Sequence, residues 1–423
     1  MSTAVAVVGT GYVGLTTGAC LAHLGHRVVC ADIDPARVAT LESGAVPFYE
    51  PGLAELVSEG VHAGRLRFVL GGEVAVRDAE LVFLCVPTPQ ADDGSVDLRY
   101  VEAAAREIAA ALPPNAVVIN KSTVPVGSAA IVDRIIARPD ITVVSNPEFL
   151  REGSAVSDFL HPDRVVIGAE SEAAGRRVAA LYQSVDTPIL ITDPASAETI
   201  KYAANAFLAT KISFVNAIAA VCEAVGANIV DVVKGLGFDS RIGPEFLRPG
   251  PGWGGSCFPK DTRALVSIAE QGGYDFKLLR GVIDSNAEQH SRMIAKVRAA
   301  VGGELAGCTV AAWGLAFKAN TDDVRDSPAV SIIDALLAEG AMVRAYDPQA
   351  RVTRPGMAQV GSALEACEGA DALVVLTEWP EFLGADLEGV ATRLARAEVV
   401  DTRNVLDVAA ARRAGLHLVG VGR

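Results

Sequence analysis

Apolar residues follow two rhythms along this chain. In the first stretch, short runs such as AVAVV (4–8), RVVCADID (27–34) and LVFLCVPTP (81–89) alternate with segments of helical period. Such runs, bounded by turn residues, read as strands buried on both faces, and their alternation with helices predicts a parallel sheet. AVVINKSTVPVG (116–127) and ITVVSNPEFLREG (141–153) add two strands, each running into a polar loop. From about 195 the rhythm changes. ASAETIKYAANAFLATKISFVNAIAAVCEAVGA keeps a helical period with no breaker until Gly226, and more helix is expected through 298. The long helix carries two apolar faces, which predicts packing against a second chain, hence a homodimer or higher homo-oligomer. After 305 the first rhythm returns in CTVAAWGLAFK (308–318), SPAVSIIDALLAEGA, MVRAYDP, ADALVVLTEWP and AEVVDTRNV. VVCADIDP pairs with VRAYDP, and AELVFLCVPTP with ADALVVLTEWP, so the last part reads as a duplicate of the first. The expected fold is α/β: two Rossmann-like parallel-sheet domains, 1–194 and 301–423, joined by a central helical domain, 195–300, with the long helix.

Composition narrows the function classes. The chain has 423 residues, half of them hydrophobic, with a formal charge of −14. That length suggests two or three domains, and the acidity argues against a nucleic-acid partner. Apolar runs are broken too often for a membrane span. MSTAVAVVGTG enters a strand without a basic or cleavable apolar leader, so a cytoplasmic location is expected. There are seven cysteines and no C-x-x-C pair, so neither a disulfide framework nor structural zinc is expected. Six of the seven lie in apolar patterns and read as buried filler. The six histidines are scattered, and no metal site is expected.

Three places could carry chemistry. GTGYVG, between the first strand and a helix, is a G-x-G-x-x-G loop. Gly9, Gly11 and Gly14 permit a tight turn, close approach of a pyrophosphate and close helix packing. Asp32, at the end of the next strand, suits the ribose hydroxyls of NAD and would repel a 2′-phosphate, although Arg37 nearby could accommodate one. The duplicate has GLAFK there instead, so it is expected to hold a different phosphorylated ligand through Lys318. In GGSCFPKDT (254–262), Cys257 follows glycines and precedes a helix start, with Pro259 at the first helical position. It reads either as an activated nucleophile or as a small residue in a tight turn. Lys201 and Asn205, one helical turn apart, either polarise a substrate oxygen at a nicotinamide or form an exposed pair. Glu148 and Glu152 either hold a water or proton, or line a solvated loop.

Taken together, these segments resemble the UDP-glucose/GDP-mannose dehydrogenase family over essentially the whole chain. The segments are GTGYVGLTTGACLAHLGHRVVCADID, VPTPQ, KSTVPVG, NPEFLREGSAVSDFLHPDRVVIG, IKYAANAFLATKISFVNAIA, SRIGPEFLRPGPGWGGSCFPKDT and GLAFKANTDDVRDSP. The resemblance implies a twofold, NAD-dependent oxidation of a nucleotide-sugar primary alcohol to an acid, through a cysteine thiohemiacetal and thioester. It implies Cys257 as nucleophile, Lys201 and Asn205 as oxyanion partners, and Asp261, Thr123 and Glu148 around the water. For NAD it implies Gly9, Gly11, Tyr12, Val13, Gly14, Asp32, Arg37, Val86, Pro87, Thr88, Ser122, Thr123, Glu152 and Arg325. For the nucleotide sugar it implies Glu148, Phe149, Leu150, Arg151, Lys201, Asn205, Arg241, Phe246, Leu247, Arg248, Gly254, Lys318 and Arg403. FLRPGPGWGGSCFPKD looks most like the UDP-glucose branch, with dTDP-glucose, GDP-mannose and UDP-N-acetylhexosamines as alternatives. Two rivals fit less of the chain. A β-hydroxyacid dehydrogenase needs neither Cys257 nor a duplicated third domain. A non-catalytic NAD sensor needs neither Lys201 nor Cys257.

Overall fold

The computed structural model describes residues 2–91 and 94–423. By contact the chain divides into two compact units, Met1–Ala204 with Arg263–Gly272, and Asn205–Thr262 with Gly273–Arg423.

The first unit is built on eight strands: β1 (Ala4–Val8), β2 (Arg27–Asp32), β3 (Leu66–Leu70), β4 (Leu81–Leu84), β5 (Val117–Asn120), β6 (Thr142–Ser145), β7 (Val165–Ala169) and β8 (Ile189–Thr192). They lie in the order β3-β2-β1-β4-β5-β6-β7-β8. Neighbours run parallel except β6 and β7, which run antiparallel. Alternate residues of β1 feed two separate cores, Val5 and Val7 one, Ala6 and Val8 the other. Helices cover both faces, which is why these strands read as unbroken apolar runs.

The second unit has β9 (Thr309–Trp313), β10 (Met342–Tyr346), β11 (Met357–Gln359), β12 (Ala372–Val375), β13 (Glu398–Asp401) and β14 (His417–Val419). Their order, β11-β10-β9-β12-β13-β14, repeats that of the first six strands of the first sheet. Trp313, fully buried, stacks on Phe382 at 5.1 Å in its core.

The long helix runs Pro194–Val225. Asp193 caps it by accepting from the Ser196 N–H at 2.8 Å, and Gly226, at φ 73°, ends it. Residues to Ala204 belong to the first unit and those from Asn205 to the second. Among the described residues it is the one helix long and apolar enough to cross a membrane, yet it carries the buried polar residues Glu198, Lys201 and Asn205. Helices Ile229–Gly237 and Lys277–Ala300 follow in the second unit. The filler reading holds for Cys20, Cys30, Cys85, Cys222 and Cys367, which are buried. It fails for Cys308, which is half-buried between a turn and β9, where its thiol donates to the Glu304 carbonyl.

Candidate active site

In the first unit the polar loops leave the carboxyl ends of adjacent parallel strands, where ligands bind in such sheets. Gly9 has φ 98°, and its N–H donates to the Ala31 carbonyl at 2.8 Å. A Cβ on Gly9 would lie 2.5 Å from the Cys85 carbonyl, and one on Gly14 would strike the Gly9 carbonyl. A Cβ on Gly11 would meet nothing within 4 Å, so this position leaves a ligand free to approach the backbone. Tyr12 and Val13 open the Tyr12–His23 helix, whose unpaired N–H groups favour a phosphate. These residues fit a dinucleotide. Asp32 accepts from the Thr10 hydroxyl at 2.6 Å, the Thr10 N–H at 3.0 Å and the Asp34 N–H at 3.0 Å, and Arg37 lies 3.7 Å away. Burial works to raise its pKa, but these partners hold the carboxyl below the usual range.

Val86, Pro87 and Thr88 follow β4, while Ser122 and Thr123 follow β5. The Ser122 hydroxyl donates to the Val86 carbonyl at 2.7 Å, tying those two loops together. Glu148 to Glu152 follow β6. The Lys201 ammonium donates to Glu148 at 2.8 Å, and the two side chains are 3% and 5% exposed, which excludes the exposed-pair and solvated-loop readings for them. The Phe149 ring lies 5.5 Å from the Lys201 ammonium and 3.7 Å from the Arg164 guanidinium. Burial would raise the Glu148 pKa, yet Lys201, the Leu150 N–H and Lys121 hold it low. Arg151 is exposed and pairs with Asp158 at 2.5 Å.

In the second unit Cys257 stands immediately before the Phe258–Gln271 helix, and its carbonyl accepts the Asp261 N–H at 2.8 Å. Cys257 is therefore the cap, Phe258 the first helical residue and Pro259 the second, one position later than the sequence suggested. Cys257 is half-buried, at the N-terminal end of that helix. Asp261, one turn along and fully buried, accepts from Asn205 at 2.6 Å and pairs with Lys260 at 2.7 Å. The loop leading to Cys257 is held by side chains. Asn286 pairs with both the N–H and the carbonyl of Trp253, while Asn216 and Gln289 take those of Gly250. A Cβ on Gly254 would strike the Asp326 carbonyl, and one on Gly255 would lie 2.7 Å from the Phe317 ring.

Arg403 donates to the Phe317 and Leu376 carbonyls, each at 2.9 Å, and pairs with Glu378 at 3.1 Å. It approaches Gly250 as well, so it gathers the glycine loop and the loop bearing Lys318. Lys318 lies 5.5 Å from the Phe317 ring. Phe246 sits at φ 61°, a strained conformation for a bulky residue, beside buried Leu247. Arg241, Arg248 and Arg325 are exposed, with Arg241 on Asp239 and Arg325 on Asp323.

Several residues near these sites escape a sequence reading. Glu50 accepts from the Tyr12 hydroxyl and from the Gly153 and Ala155 N–H groups, tying the glycine loop to the segment after β6. Lys121 is buried and pushed down to about 8 by desolvation. Glu198 had a usable signal, an ionisable residue three positions before Lys201 in an apolar helix. Among the described residues no group of three or more histidines, cysteines and carboxylates could hold a metal.

Comparison with known proteins finds relatives along the whole chain. Residues 3–186 match the UDP-glucose/GDP-mannose dehydrogenase family NAD binding domain, 195–288 its central domain and 311–408 its UDP binding domain. UDP-glucose 6-dehydrogenase TuaD of Bacillus subtilis is 46% identical, with 99% of this chain and 93% of that protein covered. UDP-glucose 6-dehydrogenase of Rhizobium meliloti is 45% identical, with 99% of each covered. Among solved structures, a UDP-glucose dehydrogenase from Pyrobaculum islandicum superposes with a TM-score of 0.91 at 38% identity, covering 100% of this chain and 98% of that one. A UDP-D-ManNAc dehydrogenase from Pyrococcus horikoshii gives 0.89 at 29% identity, covering 99% of each.

Proposed function

The chain belongs to the UDP-glucose/GDP-mannose dehydrogenase family, and we propose that within it the protein is a UDP-glucose 6-dehydrogenase, oxidising the C6 alcohol of UDP-glucose twice to give UDP-glucuronate. Bound NAD supplies the hydride acceptor for each oxidation. The alcohol loses a hydride and a proton and becomes an aldehyde, while Lys201 and Asn205 stabilise the charge developing on oxygen. Removing one such contact costs about 3 kcal/mol at a transition state. The Cys257 thiolate adds to the aldehyde carbon, and the oxygen takes up a proton to give a thiohemiacetal. Loss of a second hydride and the hydroxyl proton leaves a thioester. Water then cleaves the carbon–sulfur bond, releasing the acid and restoring the thiol. Asp261, Thr123 and Glu148 position or activate that water. The observation that carries this reading is Cys257, a half-buried thiol capping a helix, with Asp261 held one turn along by Asn205 and Lys260.

In this reading the NAD residues are the glycine loop with Tyr12 and Val13, then Asp32, Arg37, Val86, Pro87, Thr88, Ser122, Thr123, Glu152 and Arg325. Phe149, Leu150, Arg151, Arg241, Phe246, Leu247, Arg248, Gly254, Lys318 and Arg403 hold the nucleotide sugar. Residues 1–194, 195–300 and 301–423 form the NAD-binding, helical and nucleotide-sugar-binding domains. Phe207, Phe214 and Val221, exposed and seven residues apart on the long helix, support pairing with a second copy of the chain. The free cysteines support a reducing, cytoplasmic setting.

The test is the NADH formed per sugar with excess NAD and limiting UDP-glucose. Two per sugar is expected, with no acid formed by Cys257→Ala. One per sugar, or acid from the alanine variant at the wild-type rate, sinks the covalent scheme. Better turnover of dTDP-glucose, GDP-mannose or a UDP-N-acetylhexosamine would keep the chemistry and move the substrate.

A further inference from the structure

Asn120 ends β5 with its side chain buried, and neither its amide nitrogen nor its amide oxygen has a hydrogen-bond partner. A buried amide that bonds to nothing loses its hydration without compensation, so it calls for an explanation. The same register of the second sheet shows what a satisfied side chain looks like. Asn120 pairs with Leu84 across β5 and β4, and Asp401 pairs with Val375 across β13 and β12. Asp401 is also buried, but it accepts from the Arg403 N–H at 3.0 Å and the Leu406 N–H at 2.7 Å. The chain after β5 takes a different course. Ser122 bonds back to the Leu84 and Val86 carbonyls, and the far end of that loop is fixed by Glu198, which accepts from the Gly127 N–H at 2.6 Å and the Ala129 N–H at 3.1 Å. Glu198 also accepts from the Ser145 hydroxyl at 2.8 Å.

Between these groups lies a cavity of about 10 Å³, lined by Asn120, Ser122, Thr123, Ser145, Glu198 and Lys201, with Val124 and Pro147. A void of about 10–15 Å³ admits the centre of one water, and a buried water needs two to four polar partners. Asn120, which lines the cavity, offers one such donor and one acceptor, its amide N–H and amide oxygen, neither bonded within the protein.

We propose that this cavity is a binding site for one resident water, held by the Asn120 amide, which links β5 to the Thr123 loop and to the turn of the long helix bearing Glu198 and Lys201. Asn120 is then a positioning residue, acting on Thr123 and Lys201 through the water. Such a bridge is nearly as favourable as a direct hydrogen bond, and it fixes groups whose small misplacement is costly to turnover. The site itself is independent of the substrate, while its effect on turnover rests on the function proposed above.

The experiment is a crystal structure of the protein better than about 2 Å resolution, with kinetics of Asn120→Leu and Asn120→Ser. Ordered density within hydrogen-bond reach of both Asn120 amide atoms is expected in the wild type. Asn120→Leu, of similar size, should lose it, with kcat falling roughly ten- to a hundredfold and the KM for nucleotide sugar unchanged. Asn120→Ser should retain the water and recover most of kcat. Absence of density in the wild type overturns the proposal, as does wild-type kcat in a leucine variant whose cavity is dry. If Asn120→Leu does not fold, the wild-type density and the serine variant decide. An enzyme active on another nucleotide sugar would change the substrate used in the assay and leave the density test untouched.

Discussion

Asp32 and Asp347 occupy the same register in the two sheets. Gly9, at φ 98°, donates to the Ala31 carbonyl, and Gly314, at φ 102°, donates to that of Tyr346; the residue after each acceptor is the aspartate. Around Asp32 the loop is open, with nothing near a Cβ on Gly11 and a helix beginning at once at Tyr12. Around Asp347 the loop has folded onto the carboxylate. Asp347 is 1% exposed and accepts from the N–H groups of Leu315, Ala316, Gln349 and Ala350 and from the Trp379 indole. The next helix does not start until Pro328. One arrangement therefore has two outcomes. Where the glycines remain, the loop beside the carboxylate and the helix end stays open. Where Ala316 and Ala319 replace them, the carboxylate is internal scaffold, and Lys318 stands in that loop.

The contrast can be broken by exchanging the roles. The largest effect is expected for Asp347→Ala, which strands several buried N–H groups and should cost about 3 kcal/mol or more of stability. Asp32→Ala should cost about 1 kcal/mol of stability but raise the KM for NAD roughly tenfold, about 1.4 kcal/mol. Urea midpoints and NAD kinetics on both variants check this, and equal losses of stability would erase the distinction. Next, Lys318→Ala should raise the KM for the nucleotide sugar roughly tenfold and leave that for NAD unchanged. An effect on NAD instead would mean that the second loop has kept the first one's ligand. The smallest effect concerns pH. The Asp32 carboxyl is held below its unfolded value, so its contribution is present above the unfolded pKa near 4 and is lost as pH falls through the folded value. The stability advantage of wild type over Asp32→Asn should thus shrink as pH falls from about 5 to about 3. Urea midpoints at those two pH values would show the gap closing, and a gap that widens would reverse the sign.

Much of this was legible in the chain. The runs AVAVV, LVFLC and AVVIN became strands, the G-x-G-x-x-G loop became a turn into a helix, and the long helix ended at Gly226. Strands β7 and β8 were not singled out, nor was the antiparallel step between β6 and β7, because a short apolar run carries no mark of its partner or direction. Cys308 resembles its buried neighbours because its pattern is theirs, while its position is a half-buried link between a turn and β9.

Most strands and helices, the glycine-bearing loops and the residue types able to do chemistry are written in the chain itself. Those are local properties, set by side-chain period and backbone freedom. Long-range folding brings Lys201 to Glu148, 53 residues away, and Asn205 to Asp261, 56 residues away, and it leaves Asp401 satisfied where Asn120 is not. Partners so distant are chosen by sheet order and helix packing, and no short-range pattern records which buried charge will neutralise which.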